Sequence, residues 1–169
     1  SRGLGDVYKR QLQREANRIY GMTAKQTLDT AQNLYEKKLI TYPRTDSQYL
    51  TEDMEQTARN VVRQIYEKYQ LTGPFDQPEQ PDVKKVMNNS KVTDHHAIIP
   101  TMELSSCHLD ELKSWEEKIL FLIAVHTVMA MSKEHVYQET EIEVECQGEI
   151  FKAKGKTVSV SYTHLRAHE

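Results

Sequence analysis

The sequence lacks several things that would fix its class at once. It holds only two cysteines, Cys107 and Cys146. They cannot build a disulfide framework and form no Cys-x-x-Cys pair, so a reducing cytoplasm is expected. The longest apolar run, Ile119 to Val125, is seven residues, whereas a bilayer span needs about 20. No secretory leader is read at the start, because the first dozen residues carry no apolar core. Excess basic charge is also missing: the net charge is −3 at pH 7. Composition therefore gives no support to a strongly basic nucleic-acid binder, and motifs have to carry any such reading. What is present is 169 residues with periodic apolar blocks, enough for one domain with a core and a fragment of another.

The two ends fit neither helical nor strand periodicity continuing from their neighbours. Ser1 to Gln11 and Ser159 to Glu169 read as linker- or adaptor-derived sequence and are set aside from the fold. The stretch from Leu12 to Val158 carries 18 Lys+Arg against 23 Asp+Glu, a net of −5. Both its edges are expected to be cuts through a larger protein.

Apolar spacing then lays out the elements. Leu12, Ala16, Ile19 and Tyr20 mark one face of a short helix stopped by Gly21. Thr23 to Gln26 is a capping box opening a second helix, with Leu28, Ala31, Leu34 and Tyr35 as its buried stripe. Such a pair reads as a helix-turn-helix, the start of a winged-helix fold, or as an ordinary helical hairpin. Leu39 to Tyr42 is a short extended segment, because Pro43 biases Tyr42 away from the helix. A third helix is predicted from about Thr51 to Gln70, with Met54, Ala58, Val61, Val62, Ile65 and Tyr69 inward. Residues 71–92 hold three of the five prolines and read as a loop. Leu109 to Met131 is predicted as the core helix, apolar almost all round after Lys118. Tyr137 to Cys146 and Glu149 to Lys156 alternate and meet at Gln147-Gly148, a hairpin signal.

The sharpest chemistry lies in Thr41-Tyr42-Pro43-Arg44-Thr45-Asp46-Ser47. On an extended chain, side chains two apart share a face, so Tyr42, Arg44 and Asp46 can point to one side. That groups an oxygen nucleophile, a fixed cation and a carboxylate. A phenol with an unperturbed pKa of about 10 is a poor nucleophile at neutral pH. A nearby guanidinium favours the phenolate and can bind a phosphate oxygen as charge builds there. The set suits attack on a phosphodiester. It equally suits a plain turn with a surface tyrosine and an Arg–Asp pair of negligible energy.

Two other acidic or histidine-rich patterns carry less. Thr93 or Asp94 would cap a single helical turn carrying His95, His96 and Ala97, ended by the constraint of Pro100 on Ile99. Paired histidines raise the question of metal, but Cys107 and His108 follow no zinc-ligand spacing, and a solvated loop pair is the ordinary alternative. His126, mid-helix among apolar residues, reads as a packed histidine. Glu139, Glu141, Glu143 and Glu145 imitate the alternating acids of a magnesium site. They read more simply as the wet face of an antiparallel sheet.

Leu12-Gln-Arg-Glu-Ala-Asn17, Thr23-Ala-Lys-Gln-Thr27 through Ala31-Gln32, Leu34-Tyr35-Glu36 and Leu39-Ile-Thr-Tyr-Pro-Arg-Thr-Asp-Ser47 resemble the type IA DNA topoisomerases. His95-His-Ala-Ile-Ile-Pro-Thr101 is similar to that family's second signature in its topoisomerase III branch. The two motifs stand in the right order about 48 residues apart, and the resemblance covers Leu12 to Val158. It implies that Tyr42 cleaves one DNA strand and keeps its 5′ phosphate, and that Arg44 positions Tyr42 and the scissile phosphate. It also implies that Thr45 and Asp46 support the site and that His95 contacts the DNA backbone, with His96 where the family varies more.

The resemblance further implies an α+β, mainly helical fold. The catalytic-tyrosine domain, winged-helix-like (CAP-like), would occupy 12–134, and 135–158 would be an antiparallel hairpin opening the neighbouring arch domain. Residues 1–11 and 159–169 would be non-native ends. Magnesium and a catalytic lysine would belong to a separate amino-terminal domain, so this segment is expected to bind no metal itself and not to complete a cycle alone. The expected partners are DNA, preferentially single-stranded, and other domains of the parent chain, with no membrane and no small-molecule substrate. The expected location is the cytoplasm, at the nucleoid. The local charge agrees: residues 12–48 have six Lys+Arg against four Asp+Glu, net +2. A winged-helix DNA-binding module without chemistry, and a helical interaction domain, are the competing readings.

Overall fold

The computed structural model describes residues 8–71, 81–132, 137–146 and 149–158. Residues 1–7, 72–80, 133–136, 147–148 and 159–169 lie outside the described residues, and with them most of the expected non-native ends, much of the expected loop at 71–92 and the expected Gln147-Gly148 hairpin link. Four helices make up most of the fold: α1 (Tyr8–Tyr20), α2 (Ala24–Glu36), α3 (Glu55–Tyr69) and α4 (Ser114–Ala130). Short 3-10 turns at 52–54, 83–86, 89–91, 102–105 and 109–111 carry the connections. Two strands, β1 (Tyr137–Cys146) and β2 (Glu149–Val158), pair antiparallel. Their register sets Glu139 opposite Lys156, Glu141 opposite Lys154 and Glu143 opposite Lys152.

Local signals account for the helix ends. Gly21, at φ +67°, takes the left-handed position after α1, and its N–H donates to the Asn17 carbonyl at 2.9 Å. At the start of α2 the Thr23 hydroxyl accepts from the Gln26 N–H at 3.1 Å, while the Gln26 side chain accepts from the Thr23 N–H at 2.9 Å. α2 ends in a Schellman turn. The Leu39 N–H donates to the Leu34 carbonyl at 2.9 Å and the Lys38 N–H to the Tyr35 carbonyl at 2.8 Å. Lys38 holds φ +61° there, a position glycine usually takes.

The core forms around α4, which packs against α1, α2 and α3. Ile119, Leu120, Ile123, Ala124 and Val128 of α4 are buried with Leu12 and Ala16 of α1, Ala31 and Leu34 of α2, and Ala58, Val61 and Ile65 of α3. A helix buried on most sides needs the all-round apolar sequence that follows Lys118. His126 is half-buried on α4, and that burial pushes its imidazole pKa down, with Glu15 on α1 opposing the shift.

Several boundaries and faces differ from expectation. α1 begins at Tyr8, so helical structure reaches into the stretch set aside at the amino-terminal end. Ile19 is 49% exposed: the packed stripe runs through Leu12, Ala16 and half-buried Tyr20 at i, i+4 and i+8, and Ile19 falls beside it. Tyr35 is also exposed, at 39%, and serves the site described below. α4 starts at Ser114 rather than Leu109, because Leu112 and Lys113 are extended and separate a 3-10 turn from the helix proper.

One buried charge ties α2 to α4. The Glu116 side chain, 3% exposed, accepts from Lys37 Nζ at 2.6 Å and from the Lys113 N–H at 3.1 Å. Burial opposes ionisation, but the Lys37 hydrogen bond and the Lys113 N–H outweigh it and hold the carboxyl below the usual range. Folding therefore favours the ionised form, whose contribution is full at neutral pH and is lost as pH falls through the carboxylate range. Glu116→Gln is expected to lower the unfolding free energy at pH 7 by about 1–2 kcal/mol, less than a fully buried pair because Lys37 is partly solvated. The gap between the two chains should shrink from about pH 5 to pH 3 in urea titrations.

Candidate active site

Two segments far apart in sequence are joined directly. Ile40 and Pro100 form an antiparallel bridge, flanked by Thr41 N–H to Ile99 carbonyl and Thr101 N–H to Leu39 carbonyl, both 3.0 Å. The Thr41 hydroxyl doubles the link: it donates to the Ala97 carbonyl and accepts from the Ile99 N–H, each at 3.0 Å. The Thr101 hydroxyl donates to the Lys38 carbonyl, closing the turn that ends α2. Residues 93–95 are bends and 96–99 form no helix, so the helical turn expected at His95–Ala97 is not formed. Pairing along 97–101 takes the N–H groups that such a turn would need.

Beyond this junction the tyrosine segment alternates. Pro43, Thr45 and Ser47 are buried, Arg44 and Asp46 are exposed, and Tyr42 is half-buried. This is the two-residue period of an extended chain with one wet face. The inward side chains anchor it. The Thr45 hydroxyl donates to the His95 carbonyl at 2.9 Å and accepts from the Ser47 N–H at 3.0 Å. The Ser47 hydroxyl donates to the Lys91 carbonyl at 3.1 Å, and the Ala97 N–H donates to the Tyr49 carbonyl at 2.9 Å.

These anchors set Tyr42 against His95, with ring centroids 4.2 Å apart and planes inclined by 41°. Tyr35 meets Tyr42 from α2, edge-on, at 5.5 Å and 78°. Of the residues singled out in the sequence, Tyr42 and His95 are therefore in ring contact. Thr45 is the hidden strut beneath them, and Arg44 and Asp46 lie on the exposed side of the same segment. His96 is half-buried, with Nδ1 2.8 Å from the Ala97 carbonyl. Among the described residues Arg44 and Asp46 make no ion pair, so the surface Arg–Asp pair considered for this turn is not formed.

Sequence reading missed three contributors. Tyr35 was assigned to the core stripe of α2; its place seven residues before Tyr42, across a helix-ending turn, was the available signal. The cross-linking role of the Thr41 hydroxyl had no signal, since its partners lie 56 and 58 residues away. Lys91 donates from Nζ to the Tyr49 hydroxyl at 3.2 Å and sits over that ring at 4.7 Å, adding an exposed cation beside the segment. No group of three His, Cys, Asp or Glu side chains among the described residues is arranged to hold a metal ion.

The junction itself is open to test. In Thr41→Val the Ile99 N–H and Ala97 carbonyl lose their side-chain partner at nearly unchanged volume. The expected cost is about 1–2 kcal/mol of unfolding free energy. Thr41→Ser should recover most of it; equal midpoints for the Val variant and the parent chain would show that the hydroxyl does not brace the junction.

A family model described as DNA topoisomerase matches residues 8–167. The chain is 40% identical over 151 residues to DNA topoisomerase 3 of Bacillus subtilis, covering 88% of this chain and 20% of that protein. It is 39% identical over 164 residues to DNA topoisomerase 3 of Bacillus licheniformis (92% and 21%), and 35% over 156 residues to that of Staphylococcus saprophyticus (88% and 21%). The chain thus spans about one fifth of the length of these relatives. Helices of the described residues are too short or too polar to cross a membrane. With nearly its whole length matched in this way, the chain belongs to the DNA topoisomerase family, type IA, on the topoisomerase III branch.

Proposed function

We propose that this chain carries the nucleophile of a type IA topoisomerase, with Tyr42 attacking a DNA phosphodiester. The observation that carries the reading is the contact of Tyr42 with both His95 and Tyr35, with Arg44 exposed on the same segment and, among the described residues, without an ion pair. In the step, the Tyr42 phenol oxygen bonds to phosphorus as the bond from phosphorus to the 3′ oxygen breaks. The phenol proton leaves, the 3′ oxygen takes up a proton as a hydroxyl, and the 5′ phosphate stays on Tyr42. Attack by that hydroxyl reverses the exchange. One phosphoester replaces another, so no nucleotide hydrolysis is needed, and passage of a second strand through the break relaxes or decatenates DNA.

Arg44 binds the phosphate oxygens as charge develops on them. His95 reaches the DNA backbone beside the scissile bond, Asp46 orders the exposed face, Thr45 holds His95 in place, and His96 has a lesser supporting role. The substrate is a single-stranded stretch of DNA, in the cytoplasm at the nucleoid. In this reading α1 and α2 with the tyrosine segment form a winged-helix-like unit, and β1 and β2 open the arch domain of a larger enzyme. In the complete enzyme magnesium would be held by a separate domain; among the described residues no cluster of three His, Cys, Asp or Glu side chains is arranged to hold a metal ion.

The rival reading is a winged-helix DNA-binding module without chemistry, and the two diverge at Tyr42. In the complete enzyme with magnesium, Tyr42→Phe should abolish covalent trapping of cleaved oligonucleotide and leave non-covalent binding intact, because only one oxygen is removed. Arg44→Ala should keep the nucleophile yet lower the cleavage rate by about 10²–10³-fold. Gel detection of protein-linked oligonucleotide reads both. Undiminished adduct from the Phe variant would give precedence to the binding module.

A further inference from the structure

Tyr42 has two side-chain torsions, and among the described residues no hydrogen bond restrains its hydroxyl. Its aim at a phosphate therefore depends on ring packing alone. One neighbour, His95, comes from an exposed bend, and if His95 turns to the DNA backbone its ring is no longer free to hold Tyr42. The other neighbour, Tyr35, stands in the last turn of α2, on backbone fixed by the Schellman turn and by the Thr101 hydroxyl at Lys38. Its ring meets Tyr42 edge-on, a favoured aromatic geometry, at 5.5 Å and 78°.

Exposure argues that this contact is not simply core packing. Tyr35 is 39% exposed, whereas Ala31 and Leu34, the neighbours on its helix that do build the core, are fully buried. Tyr35 still has about three fifths of its surface covered, so a leucine that keeps apolar cover there separates its weight in stability from its weight in orienting Tyr42.

We propose that Tyr35 is a positioning residue, holding the Tyr42 ring in its attack orientation from the helical side when His95 is engaged by DNA. The inference rests on Tyr42 being the nucleophile. A misplacement of about 1 Å at a reacting atom costs about 10²-fold in rate. Loss of the Tyr35 ring should therefore slow cleavage without altering how tightly DNA is held.

The test uses the complete enzyme with magnesium and a labelled single-stranded oligonucleotide, under single-turnover conditions at saturating DNA. Tyr35→Leu, which keeps apolar cover, should lower the cleavage rate by about 10–100-fold with affinity and unfolding midpoint unchanged, and Tyr35→Ala should lower it at least as far. Tyr35→Phe, which keeps the ring edge, should cleave within about twofold of the parent enzyme. Parent-like cleavage by the Ala variant would overturn the proposal. So would affinity weakened by about tenfold or more with the rate at saturation intact, since that marks a stacking platform for a base. A lowered unfolding midpoint tracking the rate in Tyr35→Leu would also overturn it, by assigning Tyr35 to the fold. Tyr42→Phe run alongside separates the two levels: persistent adduct there defeats the nucleophile reading and this proposal together. Its disappearance leaves Tyr35 judged on its own variants.

Discussion

Everything at the candidate site hangs on the short antiparallel junction between residues 39–41 and 97–101. Bringing two segments together across some 56 residues costs loop-closure entropy, and a two-residue bridge alone would not offset it. The junction persists because its side chains are also core. Ile40, Ile98 and Ile99 are buried, so the backbone bonds form in a place from which water is already excluded. There an unmade bond is expensive, and the chain closes every one it can, the Thr41 and Thr101 hydroxyls included. The same closure that satisfies the core fixes His95 beside Tyr42.

The salt bridge between Lys37 and Glu116 works on this junction from behind. Lys37 is the residue at which α2 ends, directly before the turn into Leu39. Holding it to the first turn of α4 fixes where α2 stops, and with it the direction in which the tyrosine segment departs. A buried ion pair is a doubtful source of stability beside a well-packed apolar pair. As a means of fixing one arrangement of two helices it has a clear use, since a carboxylate with two donors has few alternative seats.

How much of this the sequence disclosed follows from the range of the interactions. Caps and periodicity are local, so Gly21, the Thr23 box and the buried stripes of α2 and α3 could be read directly. The alternation of Tyr42, Arg44 and Asp46 could also be read, because it needs only an extended backbone. The junction could not: nothing in Thr41 says that its hydroxyl meets Ala97 and Ile99. Without that pairing, His95 to Ala97 looked like a capped helical turn, and the competition for their N–H groups was invisible. Tyr35 failed for a related reason. Helical periodicity assigned it to the core, while the Schellman turn, with a lysine where glycine is usual, swings the following strand back over it.

Among the described residues Arg44 and Asp46 make no ion pair, and this bears on what the site can bind. Some cations of the described surface pair with carboxylates, as Arg18 does with Glu15, Lys25 with Asp29 and Arg59 with Glu55, while others, Arg14 and Arg63 among them, do not. Such pairs contribute little in water, about 0–1 kcal/mol each, and their absence at Arg44 costs the fold almost nothing. It has a consequence for binding, however. A guanidinium already engaged by a carboxylate must lose that partner before it meets a phosphate, whereas an unpaired one surrenders only water. The buried face of the segment, Pro43, Thr45 and Ser47, is meanwhile anchored by hydroxyl bonds to His95 and Lys91. Stability and recognition are thus divided between the two sides of one segment: the inward residues hold the backbone still, and the outward Arg44 is left open to a phosphate.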